Sequence, residues 1–141
     1  MTPQNKAALD SIRKELLSAE RIVITAHVRP DGDSLGSEIG LARFLIALDK
    51  EVTILNSDQE PRTLSWLADM QPGGLLQVFE EGNLKQVEAL AHADAIVVVD
   101  TGVEHRLGDV GPRIRKAQGR KFLIDHHPDP DSWFDLACVE T

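Results

Sequence analysis

Three segments of this chain are apolar without alternation: Ile22-Val23-Ile24 inside Arg21 to Ala26, Ala95-Ile96-Val97-Val98-Val99, and Phe122-Leu123-Ile124. A strand with one wet face alternates apolar and polar residues, whereas a continuous β-branched run suits a strand covered on both faces. Segments of helical period lie between these runs. Asn5 to Ala19 places Ala8, Leu9, Ile12, Leu16 and Leu17 at helical spacing. The segment after Asp33 does the same with Leu35, Ile39, Ala42, Leu45, Ile46 and Leu48. Strands alternating with helices in this way predict an α/β fold, a doubly wound and mainly parallel sheet with helices on both faces.

The remaining elements fit the same alternation. Glu51 to Leu55 reads as a second strand entered by a turn at Asp49-Lys50, and a short helix is expected between Pro61 and Met70. A strand around Leu76 to Phe79 follows the Pro72-Gly73-Gly74 break, and a helix over Asn83 to Ala91 leads into the Ala95 run. Val110 to Gln118 predicts a basic helix with Gly119 as its C-cap, and a last strand covers Phe134 to Val139. The helix after the first strand takes Asp33 or Ser34 as its N-cap.

A length of 141 residues fits one domain. The 23 Asp and Glu against 15 Lys and Arg leave a formal charge of -8, which disfavours sequence-independent binding to duplex DNA. No apolar run approaches the roughly 18 residues of a membrane span. Met1 to Lys6 lacks the basic patch and apolar stretch of a secretory signal, so a cytoplasmic location is expected. Cys138 is the only cysteine, which excludes an intrachain disulfide and a thiolate cluster. Any metal must therefore be held by His and carboxylates.

Parallel sheets bind ligands outside the carboxyl ends of their strands. The first strand runs into His27, with Asp31 and Asp33 in the following Pro/Gly/Asp loop. The Ala95 run ends at Asp100, and Lys121 to Ile124 runs into Asp125-His126-His127. Singly, these are a polar turn with an Asp cap, a turn former and a pair of strand-capping imidazoles. At one sheet edge, His27, Asp31, Asp33, Asp100, His126 and His127 make a cluster suited to Mn²⁺ or Mg²⁺, with Zn²⁺ or Co²⁺ as competitors. Two ions roughly 3.5 to 4 Å apart, sharing a carboxylate, would use the whole set. His92 and His105 have no such neighbours and read as surface residues.

The segments Ala26-His27-Val28-Arg29-Pro30-Asp31-Gly32-Asp33-Ser34-Leu35-Gly36-Ser37, Val97-Val98-Val99-Asp100-Thr101-Gly102 and Ile124-Asp125-His126-His127-Pro128 resemble the first three motifs of the DHH phosphoesterase superfamily, in order. Gly36-Ser37 and Glu104-His105-Arg106-Leu107-Gly108 are closer to its oligoribonucleases and phosphoadenosine-phosphate phosphatases than to its family II pyrophosphatases. The resemblance implies that His27 and Asp31 bind one Mn²⁺, Asp33 and His126 the other, and Asp100 both. It also implies that His127 faces the scissile phosphate and that Asp125 orients the imidazoles.

On this reading the chain hydrolyses phosphoesters of short single-stranded oligonucleotides or 3',5'-bisphosphate nucleotides by a two-metal mechanism. Mn²⁺ is the expected ion, with Mg²⁺ or Co²⁺ as substitutes. A pyrophosphatase or exopolyphosphatase activity, or a noncatalytic metal- or nucleotide-binding role, are the alternatives. The family carries a fourth motif, an Asp beyond the Asp-His-His segment, and then a smaller DHHA1 domain. Residues 1–141 reach neither, and Asp129, Asp131 and Asp135 lie too close after His127 to replace that Asp. The expectation is thus a DHH domain incomplete at its C-terminus, with a weakly held second metal.

Overall fold

Residues 1–141 are described by a computed structural model. Six strands, β1 (Arg21–Thr25), β2 (Glu51–Asn56), β3 (Leu76–Val78), β4 (Ala95–Val99), β5 (Arg120–Asp125) and β6 (Leu136–Val139), form one sheet in the order β3-β2-β1-β4-β5-β6. Every neighbouring pair is parallel. Five α-helices, α1 (Pro3–Ser18), α2 (Gly32–Ile46), α3 (Ser65–Asp69), α4 (Leu84–His92) and α5 (Gly111–Lys116), join them with 3₁₀ turns at Arg62–Leu64 and Glu104–Val110.

The helices bury both faces of the sheet, as the unalternating runs require. On one face Ile12 and Leu16 of α1 and Ile39 and Leu45 of α2 pack against Ile22, Ile24, Val97 and Phe122. On the other, Leu90 of α4, Ile114 of α5 and Leu107 meet Val23, Ile96, Val98 and Leu123. Consecutive residues of one strand therefore enter opposite cores, and both must be apolar.

The chain builds outward from β1 to β3, then returns to build β4 to β6 on the other side. This reversal opens a crevice at the carboxyl ends of β1 and β4. Thr25 is in register with Val98, so His27 and Asp100, each two residues further on, leave the sheet side by side. Val99 is likewise in register with Ile124, which brings Asp125 next to Asp100.

Two caps differ from expectation. Helix α2 starts at Gly32 and its N-cap is Asp31, not Asp33 or Ser34. Asp31 is extended, and its carboxylate accepts hydrogen bonds from the Asp33 and Ser34 N–H groups, both at 3.0 Å. Ser34 completes a capping box by accepting the Asp31 N–H. Helix α5 stops at Lys116 and is capped by extended Ala117, so Gly119 is not its C-cap. Gly119 is needed because a Cβ there would overlap the Ala93 carbonyl. No helix is long and apolar enough to cross a membrane.

Asp94 fastens the start of β1 to the start of β4. Its Oδ2 accepts the Glu20 N–H at 3.0 Å and the Arg21 N–H at 2.8 Å, and these two donors, Arg21 first, hold its pKa below the ordinary carboxylate value. A lowered folded pKa gives stability that is present above the unfolded value and lost as pH falls through the folded one. Asp94→Ala is expected to lower stability by about 1–3 kcal/mol at pH 7 and by less near pH 3 in urea titrations, since two bonds are lost and each is worth roughly 0.5–1.5 kcal/mol. An equal loss at both pH values would contradict this role.

Candidate metal centre

His27 follows β1, and only 6% of its surface is exposed. Its Nδ1 lies 2.7 Å from the Val28 carbonyl, an acceptor that fixes the proton on Nδ1 and leaves the Nε2 lone pair facing the crevice. That Nε2 is 3.3 Å from Asp100 Oδ2 and 3.7 Å from Asp31 Oδ2.

Asp100 ends β4 with φ 59°, in the left-handed region that Asp tolerates better than most residues. Its N–H still reaches the Ile124 carbonyl at 3.2 Å, so the chain turns without giving up its ladder bond to β5. The turn aims the carboxylate, also 6% exposed, along the crevice. While Oδ2 faces His27, Oδ1 lies 3.0 Å from His126 Nε2.

At the end of β5, Asp125 organises the two histidines. Its Oδ1 accepts the backbone N–H groups of His126 at 2.7 Å and His127 at 3.1 Å, and lies 2.8 Å from His127 Nδ1. Asp125 thus orients one imidazole directly, that of His127. The His126 ring is set instead by Asp100 and by Asp33, whose Oδ2 is 3.5 Å from its Nε2.

Six of the seven residues singled out from sequence converge, and Asp33 stands outside, its carboxylate reaching His126 Nε2 at 3.5 Å. Two groups have ligand atoms within 4.8 Å of one another: His27, Asp31 and Asp100, and Asp100, Asp125, His126 and His127. Asp100 belongs to both. The carboxylates of Asp31, Asp33, Asp100 and Asp125 have only imidazoles as ion-pair partners, with no Lys or Arg among them. Buried Asp125 Oδ2 has no hydrogen-bond partner. Converging carboxylates without a cation repel each other, so this donor set fits borderline or hard divalent ions. The Ser34 N–H, foremost among the cap's donors, holds Asp31 below the ordinary carboxylate value, ready to bind a cation.

Other acidic and imidazole residues lie outside the centre. Asp131 Oδ2 accepts from the Glu104 N–H at 2.7 Å and from the Trp133 indole, and Asp135 Oδ2 accepts the Lys121 N–H at 2.8 Å. Both serve the backbone. His92 and His105 are exposed and belong to neither group.

Sequence reasoning missed Glu38 and Asn56. Glu38 is fully buried, accepts the Asn56 Nδ2 at 3.0 Å through Oε2, and leaves Oε1 without a partner. Its position one turn beyond Leu35 is a core position occupied by an acid, and that mismatch was the available signal. Burial foremost, opposed by the Asn56 amide and reinforced by the charge of Asp100, pushes its carboxyl up to about 8.

The family model described as DHH family, N-terminal domain, matches residues 21–139. Over 136 residues the chain is 30% identical to the probable bifunctional oligoribonuclease and PAP phosphatase of Streptococcus mutans serotype c, covering 95% of this chain and 38% of that protein. Against the bifunctional oligoribonuclease and PAP phosphatase of Bacillus subtilis the identity is 32% over 124 residues, with 86% and 34% covered. The crystal structure of an exopolyphosphatase-related protein from Bacteroides fragilis superposes with a TM-score of 0.86 at 29% identity, covering 95% of this chain and 38% of that one. The chain thus spans little more than a third of the length of these proteins.

The raised Glu38 pKa has a measurable consequence in the metal-free chain. From its ordinary value of 4.5 to about 8, the unfolded chain ionises while the folded chain keeps the proton, so this group's contribution is lost as pH rises through that window. Glu38→Gln cannot ionise. Its stability advantage over the parent should grow by about 2 kcal/mol or more between pH 5 and pH 8 in urea titrations. A pH-independent difference would show that Glu38 is already ionised in the folded chain.

Proposed function

The chain belongs to the DHH family, whose N-terminal domain it carries, and we propose that it hydrolyses phosphoesters of short single-stranded oligonucleotides or 3',5'-bisphosphate nucleotides with two divalent cations, Mn²⁺ foremost. The observation that carries the proposal is the sharing of Asp100, with one oxygen towards His27 and the other towards His126. The names of the Streptococcus and Bacillus relatives support the substrate class.

His27, Asp31 and Asp100 would hold one cation, and Asp33, His126 and Asp100 the other. The sets differ in their imidazoles: Asp100 is common to both and Asp31 and Asp33 are similarly exposed, at 61% and 64%, whereas His27 is buried and His126 is 58% exposed, so the first set is the more firmly held. When bound, the cations supply Lewis-acid neutralisation of charge on a phosphate and on the oxygens that attack and leave it. They also turn the mouth of an acidic crevice into an anion site.

The chain's own side chains do the rest. Asp125 fixes the Nδ1 proton of His127, so the half-exposed ring presents Nε2 to a phosphate oxygen beside the crevice. In its protonated form this ring donates to the phosphate and steadies charge on the leaving oxygen. Asp31 serves as both ligand and N-cap, which ties ligand position to the start of α2. Residues 1–141 act as a DHH catalytic lobe.

A polyphosphate substrate is the second reading, favoured by the Bacteroides fragilis structure described as exopolyphosphatase-related. Turnover of a dinucleotide, a 3',5'-bisphosphate nucleotide, pyrophosphate and tripolyphosphate with Mn²⁺ separates the two. Preference for the nucleotides is expected, and turnover of polyphosphates alone would favour the second. Asp100→Ala should eliminate paired Mn²⁺ binding in calorimetry and lower phosphoester turnover by about a hundredfold or more, a ligand mattering more than its outer partners. Asp94→Ala should leave both unchanged at a temperature where it is folded. Equal effects from the two substitutions would count against the assignment.

A further inference from the structure

Strand β2 leaves the sheet at Asn56, whose carbonyl accepts the Phe79 N–H at 2.7 Å on the β3 side. On the β1 side the Asn56 side chain takes over where the backbone departs. Its Oδ1 accepts the Ala26 N–H at 3.0 Å and the Thr25 hydroxyl at 3.3 Å, and its Nδ2 donates to Glu38 Oε2 at 3.0 Å. Thr25, Ala26, Glu38 and Asn56 are all buried.

Ala26 immediately precedes His27, while Glu38 stands on the helix that is capped by Asp31 and carries Asp33 in its first turn. One buried amide therefore ties the strand end that launches His27 to the helix that positions the two aspartates. The loop between them is held at both ends. Glu38 is a costly way to make this contact, since Oε1 is left buried and unpartnered. A contact made at such a cost points to the site rather than to stability.

We propose that Asn56 and Glu38 are positioning residues for the metal centre, a buried amide–carboxyl bracket that sets the spacing of His27 from Asp31 and Asp33 without touching a cation. The bracket rests on the metal-centre reading above. It acts as outer hydrogen-bond partners act on metal ligands, by removing the freedom of the ligands to drift apart.

The test is calorimetric titration of the whole chain with MnCl₂, at a temperature where thermal unfolding shows every variant folded. Glu38→Met removes the acceptor with little change in length, and Asn56→Ala removes the amide. Each should weaken the tightest Mn²⁺ binding by about tenfold or more, the scale of outer-partner losses. Glu38→Gln still offers an oxygen to Asn56 and should bind within about twofold of the parent. Because the two residues act as one unit, the double variant Glu38→Met with Asn56→Ala should bind no more weakly than the weaker single variant. A folded Glu38→Met chain with parental affinity overturns the proposal, as does a Glu38→Gln chain as weak as Glu38→Met. Should Asn56→Ala fail to fold, the two Glu38 variants decide. A parent chain that binds no Mn²⁺ rejects the metal-centre reading itself, whereas parental binding with unaffected variants rejects the bracket alone.

Discussion

The mutual repulsion of carboxylates gathered at one sheet edge is the constraint on which the rest of the site depends. Asp100 and Asp125 are buried side by side, Asp31 and Asp33 close the crevice from the start of α2, and no Lys or Arg offsets them. Three imidazoles share the space. The side chains of this set are already committed: His27 to the Val28 carbonyl, His127 to Asp125, and Asp31 as acceptor of the free N–H groups at the start of α2. A cation would then meet side chains whose orientations are already fixed. Part of the -8 charge that argued against duplex DNA is concentrated in this crevice, where cations would reverse its local sign.

The sheet topology makes the convergence possible. Parallel strands send their carboxyl ends the same way, and the reversal of order between β1 and β4 opens a gap there. The register then brings His27, Asp100 and Asp125 together from adjacent strands. Membership of the DHH family agrees with this architecture, as does the superposition on the Bacteroides fragilis protein.

What was legible in the sequence followed from local pattern. Strand β4 carried no ambiguity, because Ala95 to Val99 admit no wet face, and the polar residues just beyond the strands announced the edge at which ligands gather. Less legible were contacts made by short polar side chains with backbone in other elements. The cap of α2 lies at Asp31 because backbone geometry after Pro30 decides which Asp faces the free N–H groups, and composition does not distinguish Asp31 from Asp33. Asp94 resembles any turn residue until β1 is placed beside it. Glu38 and Asn56 are 18 positions apart, and only the folded sheet joins them.

Asp100 is proposed to lie between two cations. Electron paramagnetic resonance of the chain saturated with Mn²⁺ reads this directly, because ions sharing a carboxylate are close enough for their spins to couple. An exchange-coupled Mn²⁺ pair is expected at saturation. A spectrum composed only of isolated Mn²⁺ ions, with no coupled signal at any loading, would contradict it.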